Sequence, residues 1–268
     1  MPLSALADGV RRIGAGTVHA IARAGFATRF FVAVIMHSPA AFRRLQLTAR
    51  EIYFSGVLSL VVIMVSGLFV GMVLGLQGYD VLNKYGAGDS LGIFVGLSLV
   101  RELGPVVAGL LFASRAGSAV TAEIGLMKTT EQLSAMEMMA VDPLARIVAP
   151  RFWGGVISMP LLAALFSVMG VFGAYIVGVR LIGVDNGTFW GNMQAGIEFW
   201  PDITNGIVKS IVFGIAVSLI AVFEGYDAKP TAEGVSAATT RTVVGGSLAI
   251  LALDFILTVF MFRGLGNG

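Results

Sequence analysis

Long apolar stretches separated by short polar connections dominate the sequence after its first 50 residues. Five stretches reach the roughly 20 residues that an α-helix needs to cross a bilayer, and they cover residues 52–79, 91–120, 152–179, 203–223 and 243–262. A spanning β-barrel would instead show short segments in which apolar and polar residues alternate. The pattern therefore predicts an all-α integral membrane protein with a polytopic transmembrane domain over residues 51–268.

The first 50 residues follow another pattern, in which arginines are interleaved with Ile, Val, Phe and Leu. This mixture is typical of helices in the membrane interface, with apolar side chains facing the acyl chains and arginines facing anionic headgroups. We therefore predict interfacial amphipathic helices within a basic segment, residues 1–50; a partly ordered cytoplasmic tail is the alternative. The apolar run 30–36 is not followed by a small-x-small cleavage pattern, so it does not indicate a signal peptide.

Composition supports a membrane protein and excludes several other classes. The chain is 56% hydrophobic and only 13% charged, whereas soluble domains carry about 25% charged residues. The absence of cysteine excludes disulfides and thiolate metal sites, and no His, Asp or Glu cluster has metal-ligand spacing. A net charge of +2 is too small to indicate a nucleic-acid partner.

Basic residues are distributed unevenly over the two sides that five spans define. With the N-terminus inside, thirteen lie on the cytoplasmic side: Arg11, Arg12, Arg23, Arg29, Arg43, Arg44, Arg50, Arg115, Lys128, Arg146, Arg151, Lys229 and Arg241. The opposite side holds three, which are Lys84, Arg180 and Arg263. The positive-inside rule then predicts a cytoplasmic N-terminus and a periplasmic C-terminus.

A charged pair, Arg101 and Glu102, interrupts the second apolar stretch shortly before Pro105. A charge inside a span costs roughly 2.5–3.5 kcal/mol or more unless it is paired or hydrated. Adjacent helical residues do not face each other, so each charge needs a partner or water from another segment. Pro105 also removes the helical hydrogen bond to the carbonyl of Arg101. These features predict a polar cavity or site; a structural ion pair with Asp254 or another acid is the alternative.

The connection after the second span is polar and rich in methionine over residues 129–146. Methionines are adaptable contact residues, and an exposed helix of this kind suits docking into a partner's groove. We predict a cytoplasmic docking helix with the contact residues Glu131, Leu133, Met136, Glu137, Met139 and Asp142. A surface helix packed on its own membrane domain is the alternative.

Glycines and aromatic residues suggest how the spans pack and where they meet the interface. Gly67, Gly71 and Gly75 share one helix face and permit close helix packing, either within the chain or in a dimer. Lys209, near the outer end of the fourth span, is long enough to extend towards the interface. The predicted interfacial anchors in the second outer connection are Phe189, Trp190, Phe199 and Trp200.

Chemistry in this chain is limited by what the sequence lacks. The phosphate-loop pattern G-x-x-x-x-G-K-[ST] is absent, so the chain does not bind ATP by that route. His19 and His37 both lie in the basic N-terminal segment, and no Ser/His/Asp arrangement stands out. We therefore predict a protein that is not an enzyme, with no catalytic residue and no cofactor of its own.

Three segments of the sequence are SGLFVGMVLGLQGY, RELGPVVAGLLFASRAGSAVTAEIGLMKTTEQLSAMEMMAVDPL and GYDAKPTAEGVSAATTRTVV. They closely resemble the MlaE family, bacterial permeases of phospholipid transport systems that work with MCE-domain proteins, and the similarity extends from Tyr53 to Phe262. The resemblance implies a homodimer in the Gram-negative inner membrane that moves phospholipid to or from a periplasmic carrier and maintains outer-membrane lipid asymmetry.

The same resemblance implies partners and residue roles. The partners are an ABC ATPase that binds ATP and Mg²⁺, a hexameric MCE-domain protein and a small STAS-domain subunit. Residues 129–146 match the coupling helix that contacts the ATPase. The lipid-binding residues by this resemblance are Leu74, Leu82, Tyr85, Arg101 and Glu102.

Two other functions fit parts of the pattern. An ion-coupled secondary transporter would use Arg101, Glu102 and Asp254 without an ATPase. A membrane anchor that only assembles other subunits is opposed by the charges at membrane depth. A P-loop ATPase encoded beside this chain would favour the ABC permease over the ion-coupled transporter.

Overall fold

The computed structural model describes Val18, Ala22 and residues 25–39 and 45–265. In these residues the helices are α1 (Gly25–Met36), α2 (Leu45–Lys84), α3 (Gly88–Thr129), α4 (Gln132–Met138), α5 (Leu144–Leu181), α6 (Asn186–Gly196), α7 (Phe199–Asp227) and α8 (Ala232–Leu265). Five of them, α2, α3, α5, α7 and α8, are long and apolar enough to cross a membrane. The predicted all-α membrane fold is confirmed.

Each spanning helix contains one predicted apolar stretch and continues beyond it. Hydropathy detects only the part of a helix that suits hydrocarbon, whereas backbone hydrogen bonding continues through polar end turns. The predicted interfacial segment lies mostly outside the described residues. Its described part includes α1, whose Phe30 and Val34 are buried against the bundle while Arg29 is exposed.

Close backbone contact joins α2 to α5. Gly67, Gly71 and Gly75 are all buried in this contact, and a Cβ at Gly71 would lie 1.9 Å from the carbonyl oxygen of Gly170. Only hydrogen atoms fit there, so the two backbones touch as in other small-residue helix pairs. The glycine face is therefore used for packing within the chain.

The segment between α3 and α5 differs from the single helix predicted over residues 129–146. Glu131 and Ala140 both have φ of +58°, and the short helix α4 lies between these two left-handed residues. Pro143 also disfavours helical conformation at Asp142. The segment thus comprises the end of α3, α4 and the first turn of α5.

The connection after α5 folds back onto the bundle through α6. The Asp185 carboxylate caps this helix by accepting from the Thr188 N–H at 2.8 Å, and this hydrogen bond lowers the pKa of Asp185. Phe189 is fully buried, so its prediction as an interfacial anchor was wrong. Phe199 and Trp200 remain exposed at 63% and 77%.

Candidate functional site

An irregular turn of α3 carries the charged pair that the sequence singled out. Residues Ser98–Leu103 form a π-helical turn immediately before Gly104 and Pro105. Such turns inside α-helices are frequent at functional sites. Neighbouring helices approach the turn closely: the Ser167 hydroxyl of α5 donates to the Leu99 carbonyl at 3.3 Å, and a Cβ at Gly206 of α7 would lie 2.3 Å from the Val100 carbonyl oxygen.

Arg101 pairs with Asp202 at the start of α7. The Asp202 side chain is 2% exposed, and its second oxygen accepts from the Glu198 backbone N–H at 2.8 Å. A nearly buried carboxylate is stable there because it has both a cation and a backbone donor. Asp202 lies one residue before the predicted fourth span, in a connection, so its pairing with Arg101 was not predicted.

Lys209 joins three helices. Its side chain is 2% exposed, and Nζ lies 2.7 Å from Glu102 Oε2 on α3 and 2.9 Å from Asp254 Oδ1 on α8. It also donates to the Thr258 hydroxyl at 2.7 Å. Lys209 is therefore buried in an ionic cluster and does not extend to the interface. We define the ionic cluster as Arg101, Glu102, Asp202, Lys209, Asp254 and Thr258.

The cluster gives the two intramembrane charges partners within the chain while leaving them partly accessible. The Arg101 and Glu102 side chains keep 27% and 37% exposure. The alternative of a structural ion pair with Asp254 or another acid is thus present in the structure. The acid that pairs with Arg101 is Asp202, whereas Asp254 pairs with Lys209. Arg101 and Glu102 are therefore paired within the chain and still partly exposed, so a ligand could also contact them.

An open, mostly apolar groove lies between α2 and α3. It has a volume of about 350 Å³, and its lining residues are Phe69, Val70, Val73, Leu74, Gln77 and Leu103. Leu103 directly follows Glu102, so the groove reaches the depth of the charged pair along α3. Of the predicted lipid-binding residues, the structure places Leu74 in the groove, Leu82 half-buried against the core and Tyr85 83% exposed just beyond α2.

The predicted docking residues divide into an outer and an inner set. Glu131, Glu137 and Met139 are exposed, and Met138, between the last two, is 88% exposed. Met136 is half-buried, and Leu133, at 6% exposure, packs inward and supports α4.

Both oxygens of Asp142, the remaining predicted docking residue, have partners inside the chain. Oδ1 accepts from the Leu144 N–H at 2.9 Å, and Oδ2 lies 2.8 Å from His37 Nε2.

The helix ends around α4 are tied together by further polar contacts. Lys128 Nζ donates to the Tyr226 carbonyl at 2.7 Å, and Arg241 pairs with Glu224 at 2.7 Å. These contacts bring the ends of α3, α7 and α8 to one end of the bundle. The predicted docking segment, residues 129–146, therefore projects from a surface that these contacts hold together.

Known proteins are similar in sequence to this chain over most of its length. The pattern of the family described as Permease MlaE matches residues 48–260. The chain belongs to the MlaE permease family. The intermembrane phospholipid transport system permease protein MlaE of Haemophilus influenzae is 56% identical over 243 residues, which are 91% of this chain and 92% of that protein.

More distant relatives of this MlaE family member carry a more general description. A probable ABC transporter permease protein of Rickettsia typhi is 38% identical over 82% of this chain and 84% of that protein. One of Synechocystis is 34% identical over 82% of this chain and 83% of that protein. The range matched to the MlaE family contains the ionic cluster, the groove and α4, whereas α1 precedes it.

Proposed function

We propose that this chain is the membrane-embedded permease of an ABC complex that moves phospholipid between the bacterial inner membrane and a periplasmic carrier, and so maintains outer-membrane lipid asymmetry. The observation that carries the proposal is an apolar groove at the same depth of α3 as the partly exposed charges of the ionic cluster. A phospholipid joins a charged headgroup to apolar tails, so its site must offer both kinds of surface at one place. The name of the Haemophilus influenzae relative supports this substrate.

In this proposal Arg101 and Glu102 face the headgroup and Leu74 contacts the tails in the groove. Leu82 and Tyr85 extend the route towards the outer end of α2. A second copy of the chain completes the site across a dimer axis. An MCE-domain hexamer and a STAS-domain subunit are the further partners, and the N-terminus is cytoplasmic.

ATP hydrolysis belongs to a separate ATPase in this proposal. Its ATP and Mg²⁺ stay on that subunit, which docks on residues 129–146 through Glu131, Glu137 and the exposed methionines. The naming of relatives as ABC transporter permeases favours this energy source over ion coupling.

Lipid contact is tested by placing a benzophenone on a cysteine at position 74, 82 or 85 of this cysteine-free chain. In the assembled complex each probe should crosslink to labelled phospholipid, and ATP with Mg²⁺ should change the yield as the site turns over. Val168, 63% exposed on α5, is the control that reports bulk lipid and should not respond to ATP. Equal, ATP-independent yields at all four positions would remove the groove from the transport route.

ATPase docking is tested with Glu131→Lys and Glu137→Lys. Reversing charge on the exposed side of the segment should reduce co-purification of the ATPase while the chain still inserts. The control is Lys84→Glu, which reverses the charge of an exposed residue at the C-terminal end of α2, outside the docking segment. Unchanged co-purification after both substitutions would assign docking to another surface.

A further inference from the structure

Helix α1 is packed on the bundle beside the docking segment. Phe30 and Val34 are 5% and 0% exposed, and the Phe30 ring contacts Phe223 and Tyr226 of α7 at centroid distances of 5.7 and 5.4 Å. Aromatic contacts of this kind add to the area buried. They place α1 firmly against the end of the bundle that carries α4.

The C-terminal end of α1 is fixed by a second set of contacts. The indole N–H of Trp153 on α5 donates to the Ser38 hydroxyl at 2.8 Å. That hydroxyl donates to the Val34 carbonyl at 3.1 Å and is buried. His37, one residue earlier, is therefore held on a defined backbone.

The two ring nitrogens of His37 face different elements. Nδ1 lies 2.7 Å from the Ala33 carbonyl within α1, whereas Nε2 lies 2.8 Å from Asp142 Oδ2. Each ring nitrogen therefore has its own acceptor, one within α1 and one on Asp142. The contact joins α1 directly to the chain between α4 and α5.

Asp142 connects this contact to the docking segment. Its other oxygen accepts from the Leu144 N–H at 2.9 Å and so fixes the start of α5. Residue 140, two positions earlier, is the left-handed residue that terminates the α4 region. Asp142 therefore links α1, the chain after α4 and the start of α5.

We propose that His37 is a positioning residue: through Asp142 it holds the α4 segment in the orientation that receives the ATPase, and α1 thereby becomes part of the coupling apparatus. This inference rests on the proposed function, since it assumes that the ATPase docks on this segment. His37 itself does not contact the ATPase in this account. Its effect on docking must then depend entirely on Asp142.

Two substitutions separate the contacts of the ring. In His37→Gln the side-chain amide reaches the Nε2 position and still donates to Asp142. In His37→Asn the amide reaches only the Nδ1 position, so the contact within α1 is kept and the one to Asp142 is lost. The full-length chain in nanodiscs is titrated with the ATPase, and the dissociation constant is measured for each variant.

We expect His37→Asn to weaken ATPase binding about threefold, as for the loss of one side-chain hydrogen bond, and His37→Gln to stay close to the unsubstituted chain. Met36→Ala, at a 73% exposed neighbouring position, is the control and should change nothing. In an Asp142→Ala background His37→Asn should have no further effect, because the two residues act as one unit. The proposal would be overturned if the Asn and Gln variants bound the ATPase equally well, or if the Gln variant bound it more weakly than the Asn variant. It would also be overturned if His37→Asn weakened binding just as much in the Asp142→Ala background.

The charge-reversal variants show whether a negative result concerns the positioning role of His37 or the docking surface itself. If Glu131→Lys and Glu137→Lys abolish binding while His37→Asn does not weaken it, the positioning role is wrong and the docking surface stands. If those two variants bind normally, the docking surface itself is wrong, and the positioning role falls with it.

Discussion

Lys209 is the residue on which the ionic cluster depends most. It is nearly inaccessible and balances Glu102 and Asp254 at once. Two carboxylates without this cation would repel each other where water is scarce. A buried ion pair adds little compared with apolar packing, but breaking one by removing a single partner is strongly destabilising.

We predict that Lys209→Met lowers the free energy of unfolding by about 3 kcal/mol or more, since it leaves two acids unpaired. The matched control is Lys84→Met, which removes an i,i+4 pair with Asp80 whose side chains are both 67% exposed. Such exposed pairs contribute about 0–1 kcal/mol. Thermal unfolding of both purified variants measures the difference, and equal midpoints would contradict the importance of the cluster.

The charges of this site were predictable from the sequence, whereas the residues that pair with them were not. Arg101 and Glu102 were recognisable because an apolar span makes charge expensive. Their partners were not, since Asp202 and Lys209 are separated from them by about a hundred residues and come into contact only when α3 packs on α7. Thr258, an uncharged residue in an apolar helix, gave no signal.

Among the elements, α2 and α5 show how small residues determine helix spacing. The glycine face was predictable from spacing, and its use within the chain was one of two options. The helix that α2 meets is decided by small residues on α5. An added Cβ at Gly173 would lie 2.1 Å from the Leu68 carbonyl oxygen of α2, and one at Gly170 would lie 2.9 Å from the Leu99 side chain of α3. A sequence pattern on one helix does not specify the helix that it meets.

We predict that Gly71→Ala forces α2 and α5 apart, because the new Cβ would lie 1.9 Å from a backbone oxygen that cannot rotate away. The variant should unfold at lower temperature and expose the α2–α5 contact to hydrogen exchange. Gly191→Ala in α6, where nothing lies within 4 Å of an added Cβ, is the control and should be neutral. Normal exchange protection in Gly71→Ala would show that the backbones do not touch as described.

The docking segment was only partly predictable from its pattern of polar and apolar residues. Its polarity and methionines indicated a segment outside the membrane, and the structure keeps Glu131, Glu137 and Met139 exposed. Its helix is shorter than predicted because two left-handed residues bound it. Neither Glu nor Ala favours that conformation on its own, so tertiary contacts, including the one between His37 and Asp142, determine where α4 ends.

At the scale of the whole molecule, the predicted cytoplasmic parts meet at one end of the bundle. Helix α1, the α4 segment and the α7–α8 connection are joined by contacts of His37, Lys128 and Arg241. The number of spans and their order followed from hydropathy alone. The side of the membrane that each end faces is a separate property, and it rests on the distribution of positive charge.

We predict a cytoplasmic N-terminus and a periplasmic C-terminus. A reporter active only in the periplasm should work when fused after Gly268 and should be silent when inserted near Val235, in the first turn of α8. Insertion of both fusions is checked by their abundance in membranes. The opposite activity pattern would reverse the orientation and place the docking segment out of reach of a cytoplasmic ATPase.

In the proposed function, an ATPase acting on the docking segment drives the movement of phospholipid by this chain. The most direct measurement is transfer of labelled phospholipid between proteoliposomes containing the complete complex and its periplasmic carrier, with and without ATP and Mg²⁺. We predict transfer that requires both the ATPase and ATP, and that falls in Arg101→Ala and Glu102→Ala complexes that still assemble. Transfer driven by an ion gradient without the ATPase, or undiminished transfer in both alanine variants, would contradict the account.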